Sequence, residues 1–299
     1  MMQLESADDF QVITNSPEPT PLAGLKIHPD FSSEDANVTL AAKESKMCFR
    51  VHSFTLKTTS GFFRTMFSLP QGSSEQSDIM YLEEDAEILE PLLRMICGMP
   101  FPDFTSVDLL ENVIFAAEKY DMAGALSILR LCLVSPSLPE DPIQMYAIAK
   151  RQGWEEIAKT YSTRTLVLNI FDSAHQPALR TASSDAVLDL FMLHRARKDG
   201  LKQMLNTPPF VSGTPSNCIQ CNGRIDYRTW RELKYRMLTE VDERPLGDTI
   251  LDPGMSLWPE ALECWKACCG NSGCKRLLYD KAETIRVIRG CLDKLPSST

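Results

Sequence analysis

The spacing of apolar positions changes character several times along the chain. Residues 1–33 show no period, and Pro17, Pro19, Pro21 and Pro29 interrupt any helix, so a disordered tail is expected there. Structure is expected from about Asp35. Val38-Thr39-Leu40-Ala41 and Met47-Cys48-Phe49-Arg50-Val51 are short, partly β-branched runs that predict two strands, joined by the polar Lys43-Glu44-Ser45-Lys46. A helical period follows in Phe54, Leu56, Phe62, Phe63, Met66 and Phe67, broken at Ser60-Gly61. Phe54, Phe63 and Phe67 are expected in the core. Pro70-Gln71-Gly72-Ser73-Ser74 predicts a loop and Ile79–Leu82 a third strand.

Helices dominate from there. Glu83-Glu84-Asp85 places acid at the entry of a helix with the stripe Ile88, Leu89, Leu92, Leu93 and Ile96, where Pro91 is acceptable in the first turn. Thr105–Asp108 resembles a capping box ahead of Leu109, Leu110, Val113, Ile114, Ala117 and Tyr120. Asp121 can cap another helix. Asp141-Pro142 starts one that runs to Gly153, a second spans about 154–168, and a third opens at Ser184-Asp185 and stops before Gly200. After a Pro- and Gly-marked linker come helices at about 227–241 and 282–295. The expected class is α+β, followed by a mainly α-helical region. The divisions are a tail (1–33), an α+β domain (34–133), a helical middle (134–206) and a Cys-rich helical C-terminal region (207–299).

Composition fits a folded chain: 43% of the 299 residues are hydrophobic and 24% charged. The net charge of −9 is unevenly spread. Residues 1–131 hold 9 basic and 20 acidic side chains, a net of −11, and the remainder 22 and 20, a net of +2. An acidic chain is a poor general binder of nucleic acid, because phosphate contacts need Lys and Arg. No uncharged apolar run approaches the roughly 18 residues of a membrane helix, so no membrane partner is expected. The acidic N-terminus reads as neither a secretory signal nor a transit peptide, which points to the cytoplasm or nucleus.

Cysteine is as uneven as charge. Seven of the ten cysteines fall in the last 82 residues. Cys218-x-x-Cys221 can grip one Zn²⁺, and Cys264-x-x-x-Cys268 is the expected second pair, with Cys269 or Cys274 as substitutes. The 42 residues between those pairs exceed the roughly 15–20 of common four-cysteine sites. Structural zinc, unliganded thiols and a labile disulfide are all open readings, and no other cofactor is indicated.

Catalysis has no motif to name. Phosphate-binding loops, nucleophile elbows and H-E-x-x-H are all missing, so a non-enzyme without a small-molecule substrate is expected. His52 has no nucleophile or metal companions and reads as structural, paired with Asp35. His194-Arg195-Ala196-Arg197-Lys198 reads as a solvated helix end, and Arg228, Arg231, Lys234 and Arg236 as a salt-bridged face.

Asp35-Ala36-Asn37-Val38-Thr39-Leu40, then Phe49-Arg50-Val51-His52 with Leu56 four residues on, then Ser60-Gly61-Phe62-Phe63-Arg64-Thr65-Met66-Phe67, resembles the opening of a BTB/POZ domain. The resemblance covers about residues 34–133. The whole chain is similar, more loosely, to fungal BTB-domain proteins, through Pro142-x-x-x-Tyr146-Ala147-x-Ala149, His194-x-x-Arg197 and Cys218-x-x-Cys221. What the resemblance implies is protein–protein association: a homodimer through this domain, recruitment of a protein partner, and Phe62, Met66, Leu69 and Gln71 as partner-binding residues. Some BTB proteins are adaptors that recruit a cullin for ubiquitin transfer, commonly with a hydrophobic-x-Glu motif after "M-F". Leu69-Pro70-Gln71 lacks that acid. A transcriptional regulator with a C-terminal zinc module is the other alternative.

Overall fold

The computed structural model describes residues 24–43, 46–69, 79–100, 103–139, 141–211 and 215–299. The loop expected at Pro70–Ser74, Gln71 included, lies outside the described residues, as do Glu44 and Ser45. The chain divides into two units, one of residues 1–102 with 112–127 and one of 103–111 with 128–299.

In the first unit, β1 (Lys26–Ile27), β2 (Val38–Ala41) and β3 (Met47–Val51) precede α1 (Ser53–Thr59) and α2 (Gly61–Met66). Next come β4 (Ile79–Tyr81), α3 (Ala86–Ile96), most of α4 (Val107–Lys119) and the start of α5 (Ala123–Cys132). The sheet runs β1-β3-β2-β4. The expected hairpin is there, antiparallel with Leu40 opposite Phe49, and β4 joins β2 in parallel with Met80 opposite Leu40. Leu40, Phe49, Val51, Leu56, Phe63, Leu89, Leu92, Leu93, Val113, Ile114 and Tyr120 form its core.

Three expectations are corrected here. Structure starts before Asp35: Lys26–Ile27 pairs in parallel with Met47–Cys48, and Phe31 is buried against Phe49, their rings meeting edge-on at 5.4 Å. Two residues are too short a run to show a period, and the prolines masked them. Pro91 sits in the middle of α3 rather than in its first turn. Phe54 is 76% exposed, because α1 has only seven residues and turns Leu56 inward. Phe63 is buried as expected, and Phe67 is half-buried.

The second unit is mainly helical: α6 (Pro142–Arg151), α7 (Glu155–Thr165), α8 (Gln176–Thr181), α9 (Ser184–Met204), α10 (Arg228–Glu243), α11 (Pro259–Lys266) and α12 (Lys281–Leu292). One small hairpin, β5 (Ser216–Asn217) and β6 (Arg224–Ile225), precedes α10. Asp141 caps α6 by accepting from the N–H groups of Ile143 and Gln144, both at 3.1 Å. Helix α9 does not stop before Gly200 but continues to Met204. A Cβ at Gly200 would lie 2.7 Å from a Leu295 methyl, so glycine there admits a close approach rather than ending the helix. Leu201, Leu205, Trp230, Leu233, Met237, Val241, Cys264 and Ile288 build one continuous core.

Arg197 organises one end of this unit. It is buried on α9 and donates to the carbonyls of Pro245 (2.6 Å), Leu246 (3.0 Å) and Pro296 (2.7 Å). His194, also buried, meets Thr165 Oγ1 at 3.1 Å. Burial, and secondarily the Arg197 charge, pull His194 down to about 4. The solvated helix end therefore holds only for Arg195 and Lys198, which pair with Asp199 and Asp242. Thr163 Oγ1 donates to the Ser297 carbonyl at 2.7 Å, and the Thr299 N–H to Ser162 Oγ at 3.1 Å.

Candidate functional site

Two tight turns bring four thiols together. The first is Cys218-Ile219-Gln220-Cys221-Asn222-Gly223, which closes the β5–β6 hairpin. The Cys218 N–H donates to the Gly223 carbonyl and the Asn222 N–H to the Cys218 carbonyl, both at 2.8 Å. Asn222 takes a left-handed φ of 57°, which asparagine tolerates, and this folds both thiols to one side. The second turn runs from Cys269 to Cys274. It is closed by an antiparallel bridge between Cys268 and Leu277 and by the Cys269 N–H on the Arg276 carbonyl at 2.8 Å.

Cys218 Sγ lies 3.9 Å from Cys274 Sγ, and Cys221 Sγ 3.5 Å from Cys269 Sγ. All four sulfurs are within 4.8 Å of one another and could hold a metal ion. Cys218 and Cys269 are buried, the other two half-buried. The backbone amides of Gln220 and Cys221 pull the Cys218 thiol down to about 6. Cys269 goes the other way: against the Asn271 amide, burial and the three neighbouring thiols push it up to about 11. Four thiolates this close repel unless a cation sits among them.

The first pair, Cys218 and Cys221, is where its spacing suggested. Cys264 and Cys268 are not with it, and Cys269 and Cys274 take that place. Cys264 faces the helical core from α11, where burial pushes its thiol up to about 12. Cys268 is exposed. Helix α11 ends at Lys266, and in the extended segment beyond it neighbouring side chains point to opposite faces, Cys269 inward and Cys268 outward. The four-residue helical spacing of Cys264 and Cys268 thus misleads, since the helix stops between them.

A cleft of about 320 Å³ beside the thiols is lined by Ile219, Ile225, Tyr227, Trp230, Leu278 and Tyr279, among others. Its described lining contains no histidine or cysteine, and Asp280 at its rim is used to cap α12, accepting from the Glu283 N–H at 3.0 Å.

The expected partner-binding residues lie in the first unit. Phe62 is 44% exposed, with its ring edge-on to Phe63 at 5.2 Å and to Tyr120 at 5.4 Å. Met66 is half-buried and Leu69 exposed. Phe54 on α1, expected in the core, is exposed, and Ile27 on β1 and Tyr81 on β4 are exposed apolar side chains that the sequence did not single out. His52 precedes α1, with Nε2 3.7 Å from an Asp35 carboxylate oxygen; both are well exposed. Behind this surface Ser60 Oγ accepts from the Phe63 N–H at 3.1 Å and donates to the Tyr120 carbonyl at 2.5 Å.

On α10, Arg228 and Arg236 pair with Glu232 and Glu240 four residues on, and Arg231 with Asp226. No helix among the described residues is long and apolar enough to cross a membrane. Among curated proteins, none matches the chain. Residues 30–134 match the family model described as BTB/POZ domain, and over that third of its length the chain is a BTB/POZ domain, a protein–protein interaction module.

Proposed function

We propose that the chain is a non-catalytic interaction protein that self-associates through its BTB/POZ domain and recruits a protein partner, in the cytoplasm or nucleus. The observation that carries this reading is Phe54: a large aromatic side chain, 76% exposed on a helix of an interaction module. Such a residue costs little in solvent when a second copy covers it. Phe62, Leu69, Ile27 and Tyr81 are further exposed apolar side chains of this unit, and a two-fold interface that uses such anchors buries about 1,200–2,000 Å². Structural zinc in the C-terminal thiol cluster belongs to the same reading, as a cofactor of the fold rather than of a reaction.

Light scattering on the full chain across a concentration series tests it. A dimer that dissociates on dilution is expected. A strict monomer at the highest concentration overturns the self-association. A cullin captured by the chain would extend partner recruitment to the adaptor role, for which Leu69-Pro70-Gln71 supplies no acidic residue.

A further inference from the structure

We propose that Cys218, Cys221, Cys269 and Cys274 bind one Zn²⁺ in a closed, four-thiolate site, and that this ion is the core of the module formed by residues 215–227 and 267–279. The inference deepens the zinc reading above by assigning the ligands and the job, and it is independent of self-association.

The sulfur spacing is the first argument. A tetrahedron with Zn–S bonds of about 2.3 Å has edges of about 3.8 Å. Two cross-hairpin pairs are 3.9 and 3.5 Å apart. A disulfide would need about 2.05 Å. Each hairpin contributes two ligands, and each close pair joins one hairpin to the other, so a central ion would lock them together.

The backbone around the sulfurs is the second. The Cys218 N–H donates to the Gly223 carbonyl, the Asn222 N–H to the Cys218 carbonyl, the Cys269 N–H to the Arg276 carbonyl and the Cys274 N–H to the Asn271 carbonyl. Such hydrogen bonds hold the ligating residues in position. Four thiolates around Zn²⁺ leave a net charge of −2, and Arg224, Lys275 and Arg276 flank the ligands in the chain.

The third argument is what the module lacks. Its buried residues are Cys218, Ile225 and Cys269 alone among those described. Its strands are two residues long. A hairpin of that size has no independent stability, and a core so small is stapled in other proteins by disulfides or metal. Disulfides are absent among the described cysteines. Soft sulfur ligands in a tetrahedron select Zn²⁺ or iron over the hard cations. With all four positions held by protein no site is left for substrate, which makes the ion structural. On binding, the thiols still protonated release their protons to solvent, water leaves the ion and four Zn–S bonds form.

Metal analysis of the purified full chain tests this, alongside single Cys→Ser variants. One zinc per chain is expected for the unsubstituted protein and for Cys264→Ser and Cys268→Ser. Cys218→Ser, Cys221→Ser, Cys269→Ser and Cys274→Ser should fall to background. Because loss of metal could follow from misfolding, Cys269→His provides a second arm: it retains a ligand, should keep the metal, and after Co²⁺ exchange should shift the visible bands of a tetrahedral four-thiolate centre. A metal-free chain overturns the zinc reading itself. Zinc retained by Cys269→Ser or Cys274→Ser, or lost from Cys264→Ser or Cys268→Ser, overturns the ligand assignment, and iron in place of zinc overturns the metal.

Discussion

Replacing Arg197 by methionine should destabilise the second unit by about 3–5 kcal/mol, the cost of breaking a buried charged contact. Methionine keeps much of the apolar stem but supplies no donor. Three hydrogen bonds disappear, to the carbonyls of Pro245, Leu246 and Pro296. At about 1.5–3 kcal/mol for each bond to a charged group, simple addition exceeds that figure. Two effects reduce it: the guanidinium no longer has to be desolvated, and carbonyls near the surface recover water. Burial already lowers the pKa of Arg197, so desolvation is felt by the native protein. For a unit of this size the loss corresponds to about 6–20 °C in Tm. Chemical denaturation of the full chain, followed by far-ultraviolet circular dichroism, measures it. Arg197→Lys should lose most of the same stability, since one ammonium cannot span three carbonyls in a planar fork. A loss below about 1 kcal/mol for Arg197→Met would refute the reasoning, because surface substitutions cost no more than that.

His194 carries a pH signature: its pKa is about 4 in the fold against an ordinary 6.5. Above pH 6.5 the ring is neutral in both states and the fold is unaffected; as pH falls from about 6.5 to 4 the unfolded chain takes the proton first, and about 3 kcal/mol is lost. Denaturation midpoints at several pH values, compared with His194→Gln, should show that slope vanish in the variant; parallel curves would contradict it. Phe54→Glu should weaken self-association at least about tenfold in sedimentation experiments while moving stability by no more than about 0.5 kcal/mol. Gly200→Val should cost about 1–3 kcal/mol by forcing a methyl onto Leu295, which lies 2.7 Å from the first added carbon, and much of that should return in the Leu295→Ala background.

The BTB/POZ domain was legible because its signals are local and mutually consistent. The Phe49-Arg50-Val51-His52 run alternates as β3 does, Ser60 caps α2, and the Leu40–Phe49 hairpin follows from two short β-branched runs. Asp141-Pro142 likewise starts α6 where an N-cap and an N1 proline predict. What escaped depends on partners far away in sequence. Arg197 looks like one more cation in a basic helix end, and its acceptors lie 48, 49 and 99 residues further on. The pairing of Cys218–Cys221 with Cys269–Cys274, rather than with Cys264 and Cys268, is decided by where α11 ends, and that end has no strong sequence mark. Phe54 sits two residues from Leu56, the one buried residue of a helix too short for its period to fix the inner face.

The contacts of Arg197 also impose an order on synthesis. A chain emerging from the ribosome presents α9 long before it presents Pro296, 99 residues later than Arg197. Until then the guanidinium lacks one acceptor, Gly200 lacks the Leu295 methyl that lies over it, and Thr163 lacks the Ser297 carbonyl. The second unit therefore cannot close behind the growing chain. Its last contacts form only once Pro296 and Ser297 have been made, whereas the residues of the first unit all precede residue 128.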